Sequence, residues 1–211
     1  MKVLLKNIGV FKQAEYEPGA LTLICGENNT GKTYATYSLY GFYDFWKNGY
    51  TMPVADEIIS ELMESGMVTI PIKTTLDEIN QEVSRACKQY SKMLSMIFAA
   101  QERYFKNALF SLILKKDDIA ILDEYSRSWR TPKNEMLQIS KESGQNAISV
   151  SLILDNIDLD SLSIRANTAK AIGDALKEIL FENTFPDTFI ASAERTGAVI
   201  FKEHLNIEQY E

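Results

Sequence analysis

The first 25 residues alternate short apolar runs with turn signals. Val3, Leu4 and Leu5 are apolar, residues 13–17 alternate weakly, and Pro18-Gly19 marks a turn. Leu21-Thr22-Leu23-Ile24-Cys25 then forms a continuous apolar run, suited to a strand buried on both faces. This pattern predicts three short strands. Residues 32–45 contain no proline and repeat Ala35, Leu39 and Phe42 at helical spacing, which predicts a helix.

Beyond Pro53 the pattern predicts a helix over 55–65 and a strand over 67–72. One long helix or two should follow over 75–106, entered through a capping box of Thr75 and Glu78. A strand is expected over 108–114. An antiparallel hairpin joins 136–140 to 147–154 through Ser143-Gly144-Gln145, and a helix spans 161–181 with Ile164, Ala171, Ala175 and Ile179 as its stripe. Residues 189–193 are a short apolar run, and 197–205 resume helical or strand character. Seven aromatics from Tyr34 to Trp46 are too many for one helix face, so core packing takes part of them and a partner surface is open to the rest.

Between the apolar run and the helix stands Gly26-Glu27-Asn28-Asn29-Thr30-Gly31-Lys32-Thr33. It satisfies G-x-x-x-x-G-K-[ST], the phosphate-binding P-loop, at every fixed position. A loop wrapped round a phosphate must turn successive backbone N–H groups inward, which needs backbone angles that glycine allows. Gly26 makes the turn, and Gly31 lets a phosphate approach the backbone. Lys32 brings positive charge to the β- and γ-phosphates in binding and catalysis, and Thr33 offers a hydroxyl to Mg²⁺. The helix that starts there adds its partly positive N-terminus. The expected ligand is ATP with magnesium.

Composition narrows the alternatives. The 45% hydrophobic and 24% charged content is that of a globular chain, and no apolar run approaches the ~18 residues of a membrane span. The N-terminal residues read as a first strand, not a signal peptide. Cys25 and Cys87 match no metal spacing and read as free thiols in a reducing cytoplasm. A single histidine, His204, leaves little for a multi-histidine metal site or a Ser-His-Asp hydrolase. A net charge of −7 argues against a broad nucleic-acid face on this segment, and leaves open a local contact with DNA in an assembly.

The stretch Leu4-Leu5-Lys6-Asn7-Ile8-Gly9-Val10-Phe11, followed by Leu21-Thr22-Leu23-Ile24 and the loop, resembles the N-terminal lobe of SMC/RecF/Rad50-like ABC ATPases. Within that group it is most similar to bacterial OLD-like and related AAA-type ATPases, many of them in phage-defence systems. Ala191-Ser192-Ala193-Glu194-Arg195-Thr196-Gly197 resembles a P-x-x-R-[ST]-G segment of such proteins. The resemblance implies an α/β fold of ABC/SMC type. Its parts would be a P-loop core over 1–50, a mainly helical insertion over 51–107, and the rest of the ATPase lobe, with a β hairpin and helices, over 108–211. It also implies a homodimer or a second ATPase head sandwiching two ATPs, and an effector or nuclease partner. The signature loop, the Walker B acids and the switch histidine normally follow the segment seen here. The expectation is therefore the N-terminal part of a larger ATPase, or a truncated relative.

Two patterns imitate the later motifs. Ile119-Ala120-Ile121-Leu122-Asp123-Glu124 has Walker B form, in which Asp123 would hold Mg²⁺ through water and Glu124 would polarise the attacking water. The reading preferred here is a strand ending at a solvated turn. Glu142-Ser143-Gly144-Gln145 imitates a signature fragment and reads better as the hairpin turn. Phe11 is a candidate to stack on adenine, and Arg195 to reach the nucleotide or a partner head. An ordinary packed aromatic and an ion pair of Arg195 with Glu194 are the alternatives. Two rival functions stand beside the ATPase head. One is a self-sufficient small P-loop NTPase or kinase using Asp123 and Glu124; the other is a non-catalytic module that holds nucleotide.

Overall fold

In the computed structural model, Val3 and Leu5 point the same way from β1 (Lys2–Ile8) and are fully buried, as the alternation requires. The described residues are 1–130, 135–153 and 162–189. β1 is the middle strand of a three-stranded antiparallel sheet, flanked by β2 (Phe11–Tyr16) and by β4 (Leu109–Ile113). Val3 pairs with Tyr16 on one side and Leu112 on the other. Near its end β1 shifts phase at Asn7, whose φ of 53° lets Ile8 return to the core.

The helix after the loop, α1 (Lys32–Asp44), continues as one π turn over Phe45–Gly49. Its buried Phe42 stacks on Phe110 of β4 at 4.9 Å and meets Tyr90 edge-on. Tyr16 Oη donates to the Ala35 carbonyl at 2.8 Å, pinning α1 to β2. Desolvation at that site, and then the neighbouring Tyr43, push the Tyr16 phenol well above its ordinary pKa.

A second, four-stranded antiparallel sheet runs in the order β3 (Met67–Pro71), β7 (Ala147–Leu152), β6 (Glu135–Lys141), β5 (Tyr125–Arg130). α2 (Asp56–Ser65) precedes β3 and packs against it. α3 (Leu76–Ser91) carries both halves of the expected capping box at Thr75 and Glu78. It lays Ile79, Val83, Ala86, Cys87 and Tyr90 into the core and packs on β4. The Asn80 side chain takes both backbone groups of Leu114, which fixes α3 against the exit of that strand. A short α4 (Leu94–Ile97) follows, and α5 (Leu162–Phe181) supplies Ile172, Ala175 and Ile179 to the core.

The pattern over 75–106 therefore resolves as a long helix, a short one and turns. Residues 51–107 contribute a strand to the second sheet and a helix to the first. Their strand β3 pairs with β7, Val68 opposite Val150, and their helix α3 covers β4 of the first sheet.

The strand expected over residues 21–25 is corrected. Residues 21–25 form no strand, and Leu21 and Leu23 are 81% and 78% exposed instead of buried on both faces. An apolar run becomes a strand only when neighbouring backbone accepts its hydrogen bonds. Among the described residues no strand lies beside this segment. The short apolar run at 189–193 and the stretch 197–205 fall, apart from Phe189, outside the described residues, as do Arg195 and His204.

Candidate functional site

Three residues of the glycine-rich loop adopt positive φ: Gly26 at 150°, Asn29 at 63° and Gly31 at 96°. Such angles cost a β-carbon residue energy, and asparagine is among the side chains that tolerate them best. They curl the chain so that residues 26–30 stand exposed ahead of α1. Thr30 Oγ1 donates to the Glu27 carbonyl at 2.8 Å and closes the curl from inside.

Lys32 folds back over the loop. Its ammonium donates to the carbonyl oxygens of Gly26 at 2.8 Å and Glu27 at 2.6 Å. A cation is thus held at the loop, next to the start of α1. Gly31 is the N-cap and makes no side-chain cap hydrogen bond, and the first turn of α1 carries no acidic residue. The first amide to enter the helix ladder is that of Ala35, bonded to the Gly31 carbonyl at 3.0 Å. The amides of Lys32, Thr33 and Tyr34 precede it, at the positive end of the helix dipole. Loop curvature, lysine and uncapped helix start together suit an anion with several oxygens. Thr33 is exposed beside Lys32, in position to offer its hydroxyl.

The β1–β2 hairpin turn fixes where this loop sits. A Cβ added at Gly31 would lie 2.6 Å from Phe11 Cζ and 2.7 Å from Val10 Cγ2. One added to Gly9, whose φ is 57°, would lie 2.3 Å from the Tyr34 ring. Phe11 is therefore half-buried against the loop. Val10, Gly9 and Tyr34 were not singled out from sequence as loop supports. The available signal was the glycine at position 9, between the apolar run of β1 and Phe11.

Asp123 and Glu124 lie elsewhere. Residues 119–124 form no strand; Leu122 N–H bonds instead to the Ile179 carbonyl of α5 at 2.9 Å. The Asp123 carboxylate accepts from Ser143 Oγ and, at 3.0 Å, from the Gly144 backbone N–H. Those two bonds hold its pKa below the ordinary aspartate value. Lys141 Nζ donates to the Asp123 carbonyl at 2.6 Å. Residues 142–145 make the β6–β7 turn, with Gly144 at φ 72°. The two motif imitations thus bind one another. Among the described residues, no hydrogen bond or ion pair joins Asp123 or Glu124 to the loop.

A cavity of about 740 Å³ lies at the opposite end of α1 from the loop. Trp46, Tyr125, Trp129 and Phe185 give it aromatic walls. Its cations are already engaged. Lys47 pairs with Asp187, Lys170 with Asp174 and Arg127 with Glu178, while Lys177 Nζ donates to the carbonyls of Trp46, Lys47 and Tyr50. That leaves no uncompensated charge for an anion, and the exposed loop is the better candidate site.

No family profile matches the chain, and no solved structure resembles it. A curated relative is the AP-1 complex subunit beta of Dictyostelium discoideum, 27% identical over 128 residues. The match takes in 59% of this chain and 12% of that protein's length. No helix among the described residues is long and apolar enough to cross a membrane.

Proposed function

We propose that this chain binds a nucleoside triphosphate, ATP with Mg²⁺, through residues 26–33, and that it is the N-terminal part of an ATPase head. The observation that carries the reading is the loop itself. Lys32 is folded onto the carbonyls of Gly26 and Glu27, ahead of an uncapped helix start free of acidic side chains. Loop amides and the α1 N-terminus would surround the β- and γ-phosphates. Lys32 would exchange its carbonyl partners for phosphate oxygens, and Thr33 would supply a hydroxyl ligand to the metal. Mg²⁺ supplies charge neutralisation and orientation of the phosphates when bound. Phe11, packed on Gly31, flanks the loop where a base could rest.

Binding alone is expected of the isolated chain. Hydrolysis also needs a carboxylate that orients water and donors that meet charge developing on the γ-phosphate. Asp123, engaged with Ser143 and Gly144, is poorly suited to that work. The missing groups would come from a second head, in a cytoplasmic assembly with an effector or nuclease, of the kind the SMC- and OLD-like resemblance implies.

The test is steady-state phosphate release across a range of protein concentrations. Near-background release with clear ATP binding agrees with the proposal. Robust turnover, independent of concentration and removed by Lys32→Ala, would favour the self-sufficient NTPase.

A further inference from the structure

Both tryptophans of the chain, Trp46 and Trp129, line the cavity at the far end of α1. α1 leaves there through the π turn Phe45–Gly49, a rare geometry that recurs at functional sites. β5 contributes Tyr125, Arg127 and Trp129, which alternate along the strand and so share one face. That face meets α5, since Tyr125 Oη donates to Glu178 at 2.7 Å and Arg127 pairs with the same carboxylate. Asp174, Glu178, Phe181 and Phe185 recur at helical spacing along α5 and its exit turn, and form the opposite wall. The volume, about 740 Å³, is that of a small-molecule site.

The charges on the walls cancel in pairs, with one exception. Lys47 pairs with Asp187, Lys170 with Asp174 at 2.7 Å, and Arg127 with Glu178. Asp174 also accepts from Thr51 Oγ1 at 2.8 Å. An ammonium has three protons to donate, and Lys177 gives them to the carbonyls of Trp46, Lys47 and Tyr50, at 3.0, 3.0 and 2.6 Å. Glu182 remains. It is exposed at the cavity, and among the described residues its carboxylate has no ion pair and no hydrogen bond.

This balance selects the ligand. An anion finds no free cation on the walls. A wholly apolar molecule would strip water from the ion pairs and replace none of it. A cation wrapped in methyl groups meets both demands, because ring faces are electronegative and Glu182 is a free counter-ion. The Arg127 guanidinium already lies 5.0 Å from the centroid of the Trp129 ring, so this wall does hold a cation. The net charge of −7 draws cations towards the whole molecule.

We propose that this cavity binds a small organic cation of the quaternary-ammonium class, against the rings of Tyr125, Trp129 and Phe185, with Glu182 as its counter-ion. The site is separate from the glycine-rich loop, and the inference does not rest on the nucleotide reading.

The test is titration with choline at constant ionic strength, followed by tryptophan fluorescence. Because both tryptophans line the cavity, the signal reports this site. Choline should give a saturable change in the millimolar range. Its uncharged isostere 3,3-dimethylbutanol should bind roughly threefold more weakly or worse. Glu182→Gln should weaken choline binding by a similar factor at an unchanged melting temperature, while Glu182→Asp keeps the charge and most of the affinity. No saturable response, an isostere that binds as well as choline, or full affinity in Glu182→Gln would overturn the proposal. No arm of the test contains nucleotide, so its failure and a failure to bind ATP are separate results.

Discussion

The carboxylate of Asp123 accepts a hydrogen bond from the Gly144 backbone N–H, 3.0 Å away, and so ties the end of an apolar-acidic run to the tip of the β6–β7 hairpin. Asp123→Ala should therefore lower the melting temperature slightly at neutral pH and leave ATP affinity unchanged. The bonds from Ser143 and Gly144 depress the folded-state pKa of Asp123. Its contribution is present above the unfolded aspartate value of about 4 and is lost as pH falls through the lower folded value. Melting curves of both proteins from neutral to acid pH should converge. A constant difference across that range would contradict this role.

Glu124→Gln should leave ATP binding and background phosphate release as they are, because Glu124 is exposed on the hairpin side and nothing among the described residues ties it to the loop. Loss of a measurable turnover on this substitution, with ATP binding preserved, would favour the chain as a complete NTPase.

Gly31→Ala should cost about 1–3 kcal/mol and weaken nucleotide binding, since it adds a Cβ at φ 96° that meets Phe11 at 2.6 Å. Gly66→Ala is the control. Gly66 has φ 76° but nothing within 4 Å, so only the backbone strain remains and the loss should be smaller. Denaturant titration of the two variants checks the order, and equal losses would mean the hairpin does not press on the loop.

Local signals made much of this fold legible. The capping box at Thr75 and Glu78, the hairpin about Gly144 and the helix after the loop all follow from spacing and turn chemistry. The sheet partnerships did not. Val68 pairs with Val150, far along the chain, and nothing local in either strand encodes that choice. The run at 21–25 shows the limit most plainly. Its composition suits a buried strand, but burial depends on a neighbour that composition does not name. At the site, the loop was legible because G-x-x-x-x-G-K-[ST] is a pattern of local spacing. The dependence of Gly31 on Phe11 and Val10, and of Gly9 on Tyr34, needed the tertiary structure.

The two cysteines should separate cleanly. Cys25 is exposed next to Gly26, while burial pushes the Cys87 thiol up to about 12. A disulfide reagent at mildly alkaline pH should modify one thiol quickly and the second only after unfolding. Saturating ATP·Mg should slow the fast reaction. Two equally fast thiols would contradict the burial of Cys87, and an unchanged Cys25 rate would place the nucleotide away from it.

The central claim is that residues 26–33 hold a triphosphate, and calorimetric titration of ATP·Mg into the wild-type chain and Lys32→Ala tests it most directly. Lys32 is the loop's single side-chain cation, and a charged hydrogen bond is worth about 1.5–3 kcal/mol. The account predicts saturable binding by the wild type, a loss of roughly 10- to 100-fold or more in the variant, and nearly equal melting temperatures without nucleotide. No binding by the wild type, or equal affinity in both proteins, would contradict it.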